Sequence, residues 1–290
     1  MEDRPFLRVL GSADWLQSPG NDGSCYSLSD RILIDTGSAA GLTLIDEGID
    51  PVQLDTICFT HMHADHCIGL LQLLLYWRIK RCSLEELTIA GPAPSVRMQF
   101  QRAFEYVFHD AHDVTQELRG MPRILELHDG DSFSTPQYDV QVIDSDHACP
   151  GLCYRFTHKG AEHSACFSGD TRYREAFGPF FSGAELLVYE ASFGAGPIAP
   201  ESNAVCKHSS AQEAARVARE AGAKRLLLTH TYEPVSYTHL ASAVFAIQTR
   251  PPCCASPCSA RCPPSSPASQ PCAAIRVSDG SYVSRCCCCS

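Results

Sequence analysis

The sequence lacks the features by which membrane proteins and nucleic-acid-binding proteins are most easily recognised. No apolar run reaches the roughly 18 residues needed to cross a bilayer. The N-terminus has neither a basic region followed by an apolar stretch nor a small-residue cleavage site. Charged residues form only 19% of the chain, and no basic stripe is evident. These absences predict a cytoplasmic protein without a membrane segment and without a DNA-binding signal.

The sequence contains few basic residues, although its composition is otherwise typical of a globular protein. Residues 1–234 carry 19 Lys and Arg residues against 32 Asp and Glu residues, a net charge of −13, and the whole chain carries −10. Hydrophobic residues form 44% of the 290 residues, which is enough for one large core or two modest ones. The composition therefore favours an enzyme over a module that binds nucleic acid through a basic surface.

Close cysteine pairs are missing from residues 1–234. The eight cysteines there are expected to be reduced thiols that pack as small hydrophobic side chains: Cys25, Cys58, Cys67, Cys82, Cys149, Cys153, Cys166 and Cys206. Nine more lie in the last 38 residues, without a zinc-ligand spacing. Residues 1–234 are therefore expected to form the working domain. Residues 235–290 are expected to be a Cys-, Pro- and Ser-rich tail that is disordered or foreign to the fold, such as a frameshift product.

Strand-like and helix-like segments alternate through residues 1–234. Strands are predicted at Phe6–Leu10, Ser27–Ile34, Thr56–Thr60, Leu87–Ala90, Arg123–Leu127, Tyr138–Ile143, Leu152–Thr157, Ser164–Ser168, Glu185–Glu190 and Arg225–Thr229. Helices are predicted at Cys67–Ile79, Ser95–Phe108 and Ser209–Ala221, the last with Ser209 as N-cap. A second half that opens with Arg123–Leu127 repeats the pattern of the first. We therefore expect an α/β fold with two sheets packed face to face and helices outside.

One short run between a predicted strand and a predicted helix carries four candidate metal ligands: His61, His63, Asp65 and His66. Buried imidazole and carboxylate groups are costly without partners, whereas histidine nitrogen and aspartate oxygen are normal zinc ligands. A single tetrahedral ion could not use all four groups and stay open to water. The run therefore predicts a metal site, with room for two adjacent ions.

Four further segments place polar side chains at or just after the ends of apolar strands, where functional groups commonly lie. They are Asp144-Ser-Asp-His147, Ser168-Gly-Asp-Thr171, Tyr189-Glu-Ala-Ser-Phe193 with Lys207-His208-Ser209, and Leu228-Thr-His230. Each signal is weak alone, because a lone histidine is usually an ordinary hydrogen-bonded residue and a Gly-Asp-Thr run is usually a turn. Their order after the run at 61–66 indicates one shared site.

This order of residues resembles the metallo-β-lactamase superfamily, and the second half resembles its ribonuclease Z branch. The resemblance covers about residues 6–232. It implies a four-layer αββα sandwich of two mixed sheets with helices outside. It also implies two zinc ions, for which Mn²⁺ or Fe²⁺ could substitute. The implied ligands are His61, His63 and His147 for one ion, Asp65, His66 and His230 for the other, and Asp170 as the bridge between them.

The resemblance also implies a mechanism. A hydroxide shared by the two ions would attack phosphorus, and Asp65 would steer it or accept its proton. Glu190 and His208 would form the dyad that protonates the leaving group, although Glu190 alone could be a surface acid. Asp35 resembles the aspartate that orients a ligand histidine, but an aspartate two residues before Gly37 is also typical of a turn.

Two features of tRNA-processing relatives are missing. Only 22 residues separate His147 from Asp170, where those enzymes carry a long RNA-gripping arm, and the segment Gly11–Gly23 lacks their basic residues. The expected substrate is an RNA end or a smaller phosphodiester, and a homodimer is one assembly to test. The alternatives are hydrolysis of a thioester, lactone or sulfate ester by the same hydroxide, or a metal-binding but catalytically silent protein.

Overall fold

In a computed structural model of the protein, the described residues are 7–17, 20–109, 120–161 and 163–231, with the backbone of two short strands near the C-terminus. Apart from those strands, the predicted tail at 235–290 lies outside the described residues. None of the helices in the described ranges is both long enough and apolar enough to span a membrane.

The first half of the chain forms a seven-stranded mixed sheet, with the order β2-β1-β3-β4-β5-β6-β7. Its strands are β1 (Leu7–Ala13), β2 (Asp22–Gly23), β3 (Cys25–Leu28), β4 (Ile32–Ile34), β5 (Thr56–Cys58), β6 (Thr88–Pro92) and β7 (Arg123–Leu127). The single strand predicted at Ser27–Ile34 is wrong, because Ser29 and Asp30 have φ angles of 55° and 57° and turn the chain between β3 and β4. Strand β7 pairs in parallel with β6, so the prediction that it opens the second half is also wrong.

The second sheet has six strands in the order β13-β12-β11-β10-β9-β8. They are β8 (Ser132–Ser134), β9 (Tyr138–Asp144), β10 (Leu152–His158), β11 (Ser164–Phe167), β12 (Leu186–Glu190) and β13 (Leu226–Thr229). Strand β10 is antiparallel to both β9 and β11, while β11, β12 and β13 are parallel. Strands β9, β11, β12 and β13 therefore end at the same edge. A separate antiparallel pair joins β14 (Ile275–Arg276) and β15 (Tyr282–Val283).

Two of the three predicted helices differ from those observed, and the structure also contains helices that were not predicted. They are α1 (Ala40–Asp46), α2 (Ala64–Cys67), α3 (Gly69–Lys80), α4 (Ser95–Phe108), α5 (Phe177–Phe180) and α6 (Ala211–Ala221), with a 3₁₀ turn at Pro51–Gln53. The helix predicted at Cys67–Ile79 divides at Ile68 into α2 and α3.

The N-cap of α6 is Ser210 rather than the predicted Ser209. The Ser210 hydroxyl accepts a hydrogen bond from the Glu213 amide, and the Glu213 carboxylate accepts one from the Ser210 amide. Ser209 instead donates its hydroxyl proton to the Thr171 carbonyl at 2.7 Å. The two hydrogen bonds between Ser210 and Glu213 form a capping box. The bond from Ser209 connects the start of α6 to the loop after β11.

Alternating side chains divide the core into three layers. In β5, Ile57 packs with helices α1, α3 and α4, while Cys58 faces the other sheet. In β12, Val188 faces the first sheet, while Leu187 and Tyr189 pack with α5 and α6. Because both sheets are covered on both faces, the chain forms helix, sheet, sheet and helix layers. The predicted four-layer αββα arrangement is confirmed.

Candidate metal centre

The candidate site lies at the edge where strands of both sheets end. Strand β5 leads into the run at 61–66, and β9, β11 and β13 lead into His147, Asp170 and His230. Glu190 is the last residue of β12. Strands that run in one direction present their carboxyl ends together, so side chains far apart in sequence converge there.

Hydrogen bonds join the two halves of the chain beside the site. The Leu152 amide donates to the Thr60 carbonyl at 2.8 Å, and the Tyr154 hydroxyl donates to the Phe59 carbonyl at 2.8 Å. On the other side, the His230 amide donates to the Ser12 carbonyl at 2.8 Å. The candidate ligands are therefore held by backbone contacts as well as by their own side chains.

The first group of candidate ligands contains His61, His63 and His147. The Nε2 atom of His147 lies 3.1 Å from Nδ1 of His63. His61 is buried and contacts both other rings, with centroid separations of 4.6 Å to His63 and 4.9 Å to His147. The structure thus brings together the three residues that the resemblance assigned to one ion.

The second group contains Asp65, His66 and His230. An Asp65 carboxylate oxygen lies 3.1 Å from Nε2 of His230 and 3.5 Å from Nε2 of His66. The rings of His66 and His230 stack with their centroids 5.2 Å apart. The three residues assigned to the other ion therefore also lie together, although they come from opposite ends of the domain.

Asp170 lies between the two groups. Its carboxylate oxygens are 3.6 Å from Nε2 of His61, 3.5 Å from Nε2 of His66 and 3.4 Å from Nε2 of His230. Burial opposes ionisation of this carboxyl, but the histidines around it hold the pKa of Asp170 well below its usual range. Oδ2 is the oxygen near His61 and His230, and Oδ1 is the oxygen near His66, so this one carboxylate contacts both groups.

The polar atoms at the centre have unmet bonding capacity that suits metal ions. The Nε2 atoms of His61 and His66 are buried and have no hydrogen-bond partner. Such orphaned atoms are costly in a folded protein unless something else binds them. Burial lowers the pKa of His61 well below 6.5, which keeps it in the neutral form that binds metals. Imidazole and carboxylate donors are normal zinc ligands, so these residues fit the implied ions.

Asp35 orients one of these histidines. Its Oδ2 atom accepts a hydrogen bond from Nδ1 of His66 at 2.8 Å, which directs His66 Nε2 at the centre. Burial disfavours a charged His66, but the carboxylates of Asp170 and Asp35 raise its pKa well above its ordinary value, so a metal ion that binds Nε2 would displace a proton. Asp35 is itself held by Thr60, whose amide and hydroxyl each donate to the carboxylate at 2.7 Å. Thr60, which directly precedes the run at 61–66, was not among the predicted site residues.

We expect Asp35→Asn to weaken zinc binding by about 10- to 100-fold. Asparagine tolerates the φ of 54° at this position, but its single neutral oxygen cannot accept hydrogen bonds from both His66 and the Thr60 amide, as the two carboxylate oxygens do. Zinc affinity would be measured by competition with a chromogenic chelator. The matched control is Asp55→Asn. Asp55 lies directly before β5, at the end of the strand opposite to the site, and pairs with Arg31. Equal affinity in both variants would contradict the orienting role.

A second hydrogen-bonded network lies beside the candidate ligands. Nδ1 of His208 lies 3.0 Å from Oε1 of Glu190, which also accepts the Thr171 amide at 2.7 Å. The Ser192 hydroxyl donates to Oε2 of Glu190 at 2.7 Å and lies 2.8 Å from Nδ1 of His230. The Ser192 hydroxyl has one proton, which it donates to Glu190, so its oxygen accepts a hydrogen bond from Nδ1 of His230. The other ring nitrogen of His230, Nε2, then faces Asp65.

The ion pair between Glu190 and His208 is more buried than an ordinary surface ion pair. Glu190 is fully buried, so the alternative that it is a surface acid is wrong. Burial disfavours the charged form of His208, but the hydrogen bond and charge of Glu190 outweigh it and raise the pKa of His208 to about 9. His208 retains partial exposure, with 19% of its side chain accessible. It can therefore contact both Glu190 and a bound molecule.

Two cysteines do not fit the prediction of inert, packed thiols. Cys206 is exposed, whereas Cys149 is half-buried and lies with His61, His63 and His147. The ligand atoms of these four residues are all within 4.8 Å of one another. The only sequence signal for Cys149 was its position two residues after His147, and spacing of this kind alone does not separate a ligand from a small hydrophobic residue.

Known proteins resemble the chain in sequence and in fold. The family model described as "Beta-lactamase superfamily domain" matches residues 30–231. A protein named ribonuclease Z from Methanothermobacter thermautotrophicus is 29% identical over 267 residues, which covers 77% of this chain and 85% of that protein. Another ribonuclease Z, from Myxococcus xanthus, is 27% identical over 251 residues, covering 70% and 78% respectively.

Solved structures share the fold at low identity. The short form of human tRNase Z superposes with a TM-score of 0.63 at 22% identity, covering 78% of this chain and 92% of that chain. The metallo-beta-lactamase fold protein YhfI from Bacillus subtilis has the same TM-score at 23% identity, covering 78% and 85%. The sequence and structural matches confirm the resemblance identified from the motifs.

Proposed function

Because the chain belongs to the beta-lactamase superfamily and is a metal-dependent hydrolase, we propose that it cleaves phosphodiester bonds with a two-zinc centre. The observation that carries this proposal is the position of Asp170. Its two oxygens lie within 3.6 Å of histidine nitrogens from both candidate groups. A carboxylate placed in this way can bridge two ions, the arrangement that suits in-line displacement at phosphorus.

In this proposal the ligands divide as the resemblance implied. His61, His63 and His147 would hold one ion, while Asp65, His66 and His230 would hold the other. When bound, the ions would supply a water activated at neutral pH and stabilise the negative charge that develops on the phosphoryl oxygens. Asp35 and Ser192 keep His66 and His230 in the tautomers that present Nε2 to the centre.

His208 would donate the proton that the leaving group needs. Its Nδ1 atom is engaged by Glu190, which leaves Nε2 to reach a substrate oxygen. Glu190 is in turn fixed by the Thr171 amide and the Ser192 hydroxyl, so the imidazole is held in one orientation. An alkoxide leaves phosphorus poorly without a proton, and a positioned acid lowers this barrier.

The shape and charge of the chain favour a compact substrate. The segment from His147 to Asp170 forms only the β10–β11 hairpin, and the nearby cations Arg172 and Lys207 are both paired with Asp146. Because basic residues are scarce in the sequence, the chain can neutralise few phosphates, and its binding to a long polyanion would be weak at physiological salt. We therefore propose an RNA end or a small phosphodiester as substrate.

The cytoplasmic location and the homodimer stay predictions.

Turnover of bis(p-nitrophenyl) phosphate tests this function directly. We expect zinc-loaded protein to release nitrophenolate, a chelator to abolish the release, and added zinc to restore it. Asp65→Ala should remove turnover, while Asp139→Ala, at an exposed strand position, should not. Hydrolysis of thioesters, lactones or sulfate esters without phosphodiester cleavage would contradict the proposal. Stoichiometric zinc with no turnover of any of these esters would also contradict it.

A further inference from the structure

We propose that the Cys149 thiolate is an additional protein ligand, beside the bridging Asp170, of the ion held by His61, His63 and His147. This inference rests on the metal centre of the proposed function. The sulfur of Cys149 and the ligand nitrogens of the three histidines lie within 4.8 Å of one another. Among the described residues, Cys149 is the only cysteine in any such group of candidate metal ligands.

The loop that carries Cys149 is held at both ends. The two ends of the loop are joined by a hydrogen bond from the Ser145 amide to the Gly151 carbonyl at 2.9 Å. Gly151 also forms an antiparallel β-bridge with His61. A Cβ at Gly151 would lie 2.5 Å from the Ser145 hydroxyl, which would have to rotate away. The Asp146 amide also donates to the Thr171 hydroxyl at 2.8 Å. Cys149 therefore occupies a position set by backbone contacts with His61 itself.

The chemistry of this group favours coordination over packing. Thiolate sulfur binds zinc at about 2.3 Å and imidazole nitrogen at about 2.0–2.1 Å, so two ligand atoms of one ion lie at most about 4.4 Å apart. Small side-chain movements would bring atoms within 4.8 Å to that spacing. An independent observation points to a ligand here, since Nε2 of His61 is buried and has no hydrogen-bond partner. The neighbouring Cys67 is directed elsewhere, towards the Met62 carbonyl at 3.6 Å.

A thiolate ligand would make the two groups unequal. With the bridging Asp170 counted, the ion held by His61, His63 and His147 would have five protein ligands, and the other ion would have four. An ion held by more protein atoms keeps fewer positions for water. Water or substrate would then bind mainly on the side of Asp65, His66 and His230. Cys149 would thus favour tight retention of one ion.

Cobalt substitution of the full chain tests the assignment without relying on activity. Co²⁺ reports its geometry through visible absorption, and a bound thiolate adds a charge-transfer band in the near ultraviolet. We expect Cys149→Val to lose that band and to keep the visible bands. Cys149→Ser should behave in the same way if valine disturbs the loop. The matched controls, Cys206→Ser and Cys67→Ala, should retain the near-ultraviolet band.

Alkylation gives a second readout. We expect zinc to abolish iodoacetamide labelling of Cys149, as read by peptide mass spectrometry, and to leave labelling of the exposed Cys206 unchanged. A near-ultraviolet band that survives Cys149→Val, or equal labelling of Cys149 with and without zinc, would overturn the assignment and leave the two-metal centre standing. A chain that binds no cobalt would overturn both.

Discussion

Asp170→Asn is expected to reduce kcat/KM for bis(p-nitrophenyl) phosphate by roughly 10³-fold or more, and to lower the bound zinc below two ions per chain. The asparagine amide retains one oxygen but cannot offer an oxygen to each of two ions. Charge stabilisation by a metal ion contributes several kcal/mol, and about 4 kcal/mol corresponds to roughly 10³-fold. Zinc content by elemental analysis and steady-state turnover, measured on the same sample, would check both parts.

The control for this variant separates loss of ligands from loss of structure. Asp170 is buried among histidines, so its replacement could also affect folding. Circular dichroism of the zinc-free forms should therefore match between Asp170→Asn and the wild type, because the ligand histidines are held by other contacts. Asp139→Asn should leave zinc content and turnover unchanged. If Asp170→Asn protein bound two zinc ions and turned over normally, Asp170 would not be the bridge.

His208→Ala is expected to discriminate between substrates by their leaving groups. We expect roughly 10²- to 10⁴-fold loss on a dinucleoside phosphate, whose ribose alkoxide needs a proton, because this is the usual range for general acid catalysis. With p-nitrophenolate as the leaving group, which departs without protonation, the loss should be less than about tenfold. The measurement is kcat/KM for both substrates at one pH with the same zinc content.

His163→Ala is the matched control for that comparison. His163 lies beside the β10–β11 turn and contacts Glu185 at 3.7 Å, on a part of the protein that does not contribute to the site. It should leave both rates unchanged. Equal losses on the two substrates in His208→Ala would show that the residue positions the substrate or the ligands rather than donating a proton.

The residues that could be predicted from sequence share a local signal. The run at 61–66 concentrates ligand types in six positions, and His147, Asp170 and His230 each follow an apolar strand. The structure brings His147, Asp170 and His230 to one edge because β9, β11 and β13 run in the same direction, and the hydrogen bond from Leu152 to Thr60 holds the run at 61–66 beside them. Strand and helix positions in the core were likewise visible in their apolar patterns.

The features that sequence could not supply depend on contacts between distant segments. Ser209 and Ser210 are identical in type, and only the hydrogen bond from Ser209 to the Thr171 carbonyl decides which of them caps α6. Pairing across the sheet, rather than any property of β7 itself, places that strand beside β6. The turn at Ser29 and Asp30 contains no glycine, so its left-handed backbone had no marker in the sequence.

The hydrogen bond from His230 to Ser12 has a consequence for how the protein is made. Asp65 and His230 are 165 residues apart, and the residues around His230 reach the first strand through that bond and the bridge between Ala13 and Thr231. During synthesis, the histidines at 61–66 leave the ribosome long before the strand that completes their cluster. A nascent chain can therefore offer a metal ion only a partial set of donors, and full metal loading must follow closure of the fold.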